Sequence, residues 1–120
     1  MHENAPITIA AVVGSLKAAS INRGVFEAAT ALAPDGVTLV EAPVVDVPFF
    51  NEDLEVVGDP AAVVALKATV ADADALVFFT PEYNRSIPAV TKNALDWLSR
   101  PYGSGPLAAV SYTHLTLPTN

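Results

Sequence analysis

The chain has 120 residues, no cysteine and a formal net charge of −7. That length fits one domain, which can bury roughly two-thirds of its unfolded surface without staples. The lack of cysteine excludes disulfides, thiolate metal sites and a cysteine nucleophile, and the acidic balance argues against nucleic-acid binding.

Mean hydropathy is high, +0.40, but no apolar run reaches the ~18 residues of a membrane helix. Met1–Pro6 is polar and lacks the basic-then-apolar pattern of a secretory leader, so a cytoplasmic protein is expected. Ile7 to Val13 (ITIAAVV) then opens the structured chain. It is short, apolar and β-branched, as a strand buried on both faces should be. Asn22 to Leu32 follows as a helix, with Val25, Phe26, Ala29 and Leu32 recurring at helical steps. The turn pair Asp35-Gly36 announces a second strand, Val37 to Val40. Ala42 to Gly58 reads as one long loop, and such loops in small domains are often functional. Asp59-Pro60 opens a second helix, with Pro60 suited to its first position and Val63, Leu66 and Val70 on one face. A third strand, Ala75 to Phe79, closes at Thr80-Pro81. A third helix runs from Pro88 to Arg100, with an apolar stripe of Ile87, Val90, Ala94, Leu95 and Leu98. Asn93, Asp96 and Arg100 fall on a different face, and Pro101 and Gly103 end the helix.

Strands alternating with helices imply parallel pairing and right-handed crossovers, hence a doubly wound α/β fold. Ligands of such sheets bind beyond the carboxyl ends of the strands, where the strand order reverses. The two loops that would border that crevice are Gly14–Arg23 (GSLKAASINR) and Thr80–Pro88 (TPEYNRSIP). The first joins a buried strand to a helix N-terminus, where amide groups and the helix dipole favour an anion. Ser15, Ser20 and Asn22 add donors there, and Lys17 and Arg23 add charge. The plainer reading makes Ser20 or Asn22 a helix cap and the cations solvated. Only six Lys and Arg exist, and Lys17, Arg23 and Arg85 all fall in these two loops. In the second loop, Pro81 and Asn84 are turn formers and Tyr83 offers a flat surface, suiting a planar heterocycle. A phosphate site beside a loop for a flat ring matches what a flavin mononucleotide requires.

GSLKAASINR together with TPEYNRSIPAVTKNALDWLSRP strongly resembles the NADPH-dependent FMN reductase family over about Ile7 to Leu107. The resemblance implies a flavodoxin-like sheet of strand order 2-1-3-4-5. It implies that Ser15, Lys17, Ser20 and Asn22 hold the FMN phosphate, with Arg23 nearby. Pro81, Glu82, Tyr83 and Asn84 would line the isoalloxazine, largely through backbone groups, with Ser86 close by. The segment with Pro48, Phe49, Asn51, Glu52 and Asp53 would border the pocket. The helix Pro88 to Arg100 would form a homodimer or homotetramer interface, using Asn93, Asp96, Trp97 and Arg100. The implied activity is hydride transfer from NADPH or NADH through FMN to a quinone, azo compound, free flavin or metal oxyanion.

Departures from the family pattern are Lys17 for a commoner arginine, Ala89 for glycine and Thr91 for an apolar residue. Past Leu107 the family pattern continues with a Gly-Lys turn, a fourth strand and a Gly-rich loop. Here Ala108–Asn120 (AAVSYTHLTLPTN) reads instead as a non-family tail after an incomplete domain of residues 1–107. The expected sheet stops at the third strand or adds a makeshift one over Leu107 to Tyr112. On this reading the chain carries the family's sites but holds FMN weakly or not at all. The rival readings are a non-catalytic fragment and a flavodoxin-type electron carrier. No catalytic acid or base stands out, and His2 and His114 lack ligand-spaced partners for a metal. Glu52, Asp53 and Glu55 could form a carboxylate site, but they read better as a solvated acidic loop.

Overall fold

The computed structural model describes residues 5–108 and 110–117, the last seven by their backbone only. His2, the polar N-terminal stretch before Ala5 and the last three residues lie outside that range. Chain order is β1 (Ile7–Val13), α1 (Ile21–Leu32), β2 (Val37–Glu41), α2 (Glu52–Val57), α3 (Ala61–Ala71), β3 (Ala75–Pro81), α4 (Ala89–Leu98), a 3-10 turn at Pro106–Ala108 and β4 (Ser111–Leu117). The sheet is parallel throughout, in the order β2-β1-β3-β4.

Alternation along the central strands covers both faces. Ala10 and Val12 of β1 and Leu76 and Phe78 of β3 join the main core, which is filled by Val63, Leu66 and Val70 of α3 and Ala94, Trp97 and Leu98 of α4. Phe79 faces the other way and meets Phe26 of α1 edge to face, with ring centroids 5.9 Å apart. The fold is thus doubly wound, as the strand–helix alternation requires. Among the described residues, no helix is long and apolar enough to cross a membrane.

Several boundaries differ from the sequence expectation for identifiable reasons. The 42–58 stretch is not a continuous loop: α2 forms within it. Asn51 caps α2 by accepting from the Asp53 N–H at 2.9 Å, and Glu52, Asp53 and Glu55 occupy its first turn, where the helix dipole favours carboxylates. Pro60 is the N-cap of α3 rather than its first helical residue. β3 runs two residues further, through Thr80 and Pro81. α4 is shorter at both ends than Pro88–Arg100, and Ile87 lies outside it. The chain also continues past α4 into a fourth strand. That strand starts at Ser111, not Leu107, and pairs from Ala75↔Ser111 to Pro81↔Leu117, so β3 is not an edge.

Candidate functional site

The sheet order supplies the crevice. From β1 the chain crosses to β2 on one side, then returns past β1 to β3 on the other, so the order reverses between β1 and β3. The loops after these two strands are the ones the sequence singled out. They leave the sheet side by side, since Val13 pairs with Phe79 and the Gly14 N–H donates to the Phe79 carbonyl at 2.7 Å.

The first loop is built around the start of α1. Ser20 is its N-cap, with Oγ accepting from the Arg23 N–H at 3.0 Å. The plain capping role is therefore real, and it leaves the Ser20 hydroxyl proton able to donate elsewhere. Ser15, Ser20 and Asn22 are buried, while Lys17 stands exposed. Arg23 does not reach the loop as a loose cation. It grips Glu41 at the end of β2 with both terminal guanidinium nitrogens, at 2.6 and 3.0 Å. That hydrogen bonding raises the arginine pKa further above its ordinary value. Its role in the structure is to tie α1 to β2 beside the loop.

The second loop is a tight hairpin turn. Tyr83 and Ser86 exchange both backbone hydrogen bonds, at 2.9 and 3.0 Å. Asn84 and Arg85 between them have φ of +51° and +64°, as in a type I′ turn. Asparagine tolerates that left-handed region, but arginine occupies it at a cost. The backbone amides of Tyr83 and Ser86 are thus engaged with each other. Pro81 is buried at the strand end, and Glu82, Tyr83, Asn84, Arg85 and Ser86 are exposed.

Electrostatics distinguish these loops from the rest of the surface. Of the six Lys and Arg, Arg23, Lys67, Lys92 and Arg100 are in ion pairs with carboxylates. Lys17 and Arg85 make none among the described residues. One sits on each loop, at the same end of two neighbouring strands.

The segment expected to border the site is held by α4. Asn93 accepts from the Phe50 N–H at 2.7 Å and donates to the Pro48 carbonyl at 2.9 Å. Trp97 Nε1 donates to the same carbonyl at 2.8 Å, and its ring meets Phe50 edge to face. Arg100 makes two hydrogen bonds to Glu55, at 2.9 and 2.7 Å, and lies over the rings of Phe50 and Tyr102. The Arg100 guanidinium holds the Glu55 carboxyl below the ordinary carboxylate range. Asn93 and Trp97 of α4, and Arg100 just beyond its end, are therefore engaged within the chain, and Trp97 is wholly buried. A cleft of about 230 Å³, lined in part by Leu16, Phe49, Val90 and Asn93, opens between this segment, the first loop and α4. A wider cleft of about 430 Å³ lies beyond the end of β2, among Val44, Asp46 and Ala62. No cation lines it, and it shares Val44, Val45 and Val47 with the smaller cleft. Sequence reasoning missed the Glu55–Arg100 and Arg23–Glu41 pairings, because no local spacing links these partners.

The chain has recognisable relatives in sequence and in fold. A model of the family described as NADPH-dependent FMN reductase matches residues 7–115. The chain is 42% identical over 109 residues to a quinone reductase of Pseudomonas putida, covering 87% of this chain and 59% of that protein. It is 44% identical over 99 residues to an NAD(P)H:quinone oxidoreductase of Solanum tuberosum, covering 79% and 51%. Among solved structures it resembles FerB, a flavoenzyme NAD(P)H:(acceptor) oxidoreductase of Paracoccus denitrificans. That match has a TM-score of 0.85 and 34% identity, and covers 92% of this chain and 60% of that one. The chain thus spans between half and three-fifths of these relatives' own lengths.

Proposed function

The chain belongs to the NADPH-dependent FMN reductase family, and from that premise we propose that its two crevice loops form an FMN site serving NAD(P)H-dependent reduction of a small acceptor. The observation that carries the proposal is the placement of Lys17 and Arg85. In a chain of net charge −7, the cations without a carboxylate partner among the described residues flank one crevice, where a phosphate would find them. The donor set also fits the group. Ser15 follows the end of β1, and Ser20 and Asn22 stand at the start of α1, where the helix dipole adds to the attraction for a phosphate. Lys17 gives a point charge rather than a bidentate clamp. Arg23 acts at one remove, by fixing α1 against β2 through Glu41.

The hairpin with Asn84 at its tip would lie along the ring, with Tyr83 beside it and Pro81 and Glu82 at its base. The Phe49–Asp53 segment would border the pocket and exclude water from one side. Bound there, FMN would supply the redox chemistry: hydride acceptance from NADPH or NADH and two-electron delivery to a quinone, azo compound, free flavin or metal oxyanion. The protein's own part is binding, orientation and an open face for two substrates in turn. A homodimer or homotetramer would use what α4 leaves uncovered, around Ala89, Lys92 and Asp96, in a cytoplasmic enzyme.

The test is NADPH consumption by the purified chain with added FMN and a benzoquinone. Steady oxidation that requires both the chain and FMN supports the reading. Oxidation no faster than FMN alone contradicts it.

A further inference from the structure

Beneath the two loops lies a buried hydroxyl pair. Thr80, at the end of β3, and Thr91, in the first turn of α4, are 1% and 2% exposed. Their hydroxyl oxygens are 3.0 Å apart. Thr80 Oγ1 is also 3.2 Å from the Pro81 carbonyl, to which only Thr80 can donate. A hydroxyl has one proton. With the Thr80 proton directed to Pro81, Thr91 must donate to Thr80. The direction of the chain of hydrogen bonds is therefore Thr91 to Thr80 to the Pro81 carbonyl.

The third member of the cluster is Gly14. A Cβ there would stand 2.1 Å from Thr91 Oγ1 and 3.0 Å from Thr80 Oγ1. Thr91 thus packs against the bare Cα at the first residue of the first loop, while its relay ends on the Pro81–Glu82 peptide of the second. That peptide is planar, so holding the Pro81 carbonyl also fixes the direction of the Glu82 N–H. One side chain of α4 sets the relative placement of both loops.

We propose that Thr91 is a positioning residue for the flavin site, acting through Thr80 and Gly14 to hold the phosphate loop and the ring loop in register. The proposal rests on the FMN-site reading above. Thr91→Val keeps the shape and removes the donor to Thr80, so the Thr80 bond to the Pro81 carbonyl loses the partner that polarises and orients it. Thr91→Ser keeps the donor.

The experiment titrates FMN into each purified chain by flavin fluorescence, and records the visible flavin band and the amide signals of Gly14 and Glu82 by NMR. Thr91→Val is expected to weaken FMN binding about fivefold, the worth of one buried hydrogen bond. It should also shift the flavin band and move the Glu82 amide signal even without FMN. Thr91→Ser should stay within about twofold of the parent. If the valine chain does not fold, Thr91→Ala takes its place against the same serine control. Equal affinity and an unmoved Glu82 amide in Thr91→Val, or equal losses in the valine and serine chains, would overturn the proposal. If the parent chain binds no FMN, the function reading fails separately. The Glu82 amide in Thr91→Val against parent then decides whether the relay positions this peptide: a shift upholds it and no shift overturns it.

Discussion

The two crevice loops reach similar ends by different means. The first is held by a helix: Ser20 caps α1, and Arg23 ties it to β2 through Glu41. The second is held by its own backbone, with Tyr83 and Ser86 closing a two-residue turn whose central residues sit in the left-handed region. In each loop some polar residues hold the loop and others face outward. Ser20 and Arg23 belong to the first group, and Lys17 and Arg85 to the second. Sequence composition gives all of them the same appearance. What separates them is partner geometry, and that makes the division testable.

The largest effect is expected where both loops meet. Gly14→Ala drives a methyl group into Thr91 and Thr80 in a packed interior. Overpacking of this kind costs about 1–3 kcal/mol, so the melting temperature should fall by several degrees and FMN affinity should fall with it. A Gly14→Ala chain with parental stability would show that the loops are not braced at this point.

Next come the two cations of the first loop, which should separate. Lys17→Ala removes an exposed charge with no ion-pair partner among the described residues. FMN affinity should drop about fivefold with the melting temperature unchanged. Arg23→Ala should do the reverse, lowering stability by about 0.5–1 kcal/mol for a half-exposed pair while changing affinity less. Fluorescence titration and thermal melts on both chains check this. Identical behaviour would erase the distinction between holding and presenting residues.

A smaller effect is expected at the turn. Arg85→Gly relieves a left-handed arginine, worth about 1–2 kcal/mol, and adds unfolded-chain freedom that returns about half of it. The net result is a small gain in melting temperature alongside weaker FMN binding, opposite signs from one substitution. The smallest effect concerns pH. The folded-state pKa of Glu55 is lowered by its hydrogen bonds to Arg100. Its contribution is therefore present above the ordinary glutamate value of about 4.3 and is lost as pH falls through the lowered folded value. Glu55→Gln should flatten the fall of melting temperature with acid below about pH 4.5, leaving the neutral region less affected.

The sequence made much of this fold readable. Ile7–Val13 and Ala75–Phe79 are short β-branched or aromatic runs ended by Gly14 and Pro81, and both became central strands. The crevice followed from the strand order alone. Three features were harder to read. Helix α2 was hidden because its apolar pattern is weak, although Asn51 followed by three acids was a capping signal in plain view. β4 was displaced because strand placement in the 108–120 segment depends on register with β3, which no local pattern encodes. The partners of Asn93, Trp97 and Arg100 are not legible, because helical spacing places these residues on one side but does not show what covers them. The covering is supplied by Pro48, Phe50 and Glu55, more than forty residues earlier.

The most direct test of the central claim is an equilibrium titration of the purified chain with FMN, followed by flavin fluorescence, with inorganic phosphate as competitor. Saturable quenching is expected at one FMN per chain, reversed by phosphate and weakened in Lys17→Ala. Fluorescence that does not change up to about 1 mM protein, with circular dichroism confirming a folded chain, would contradict it.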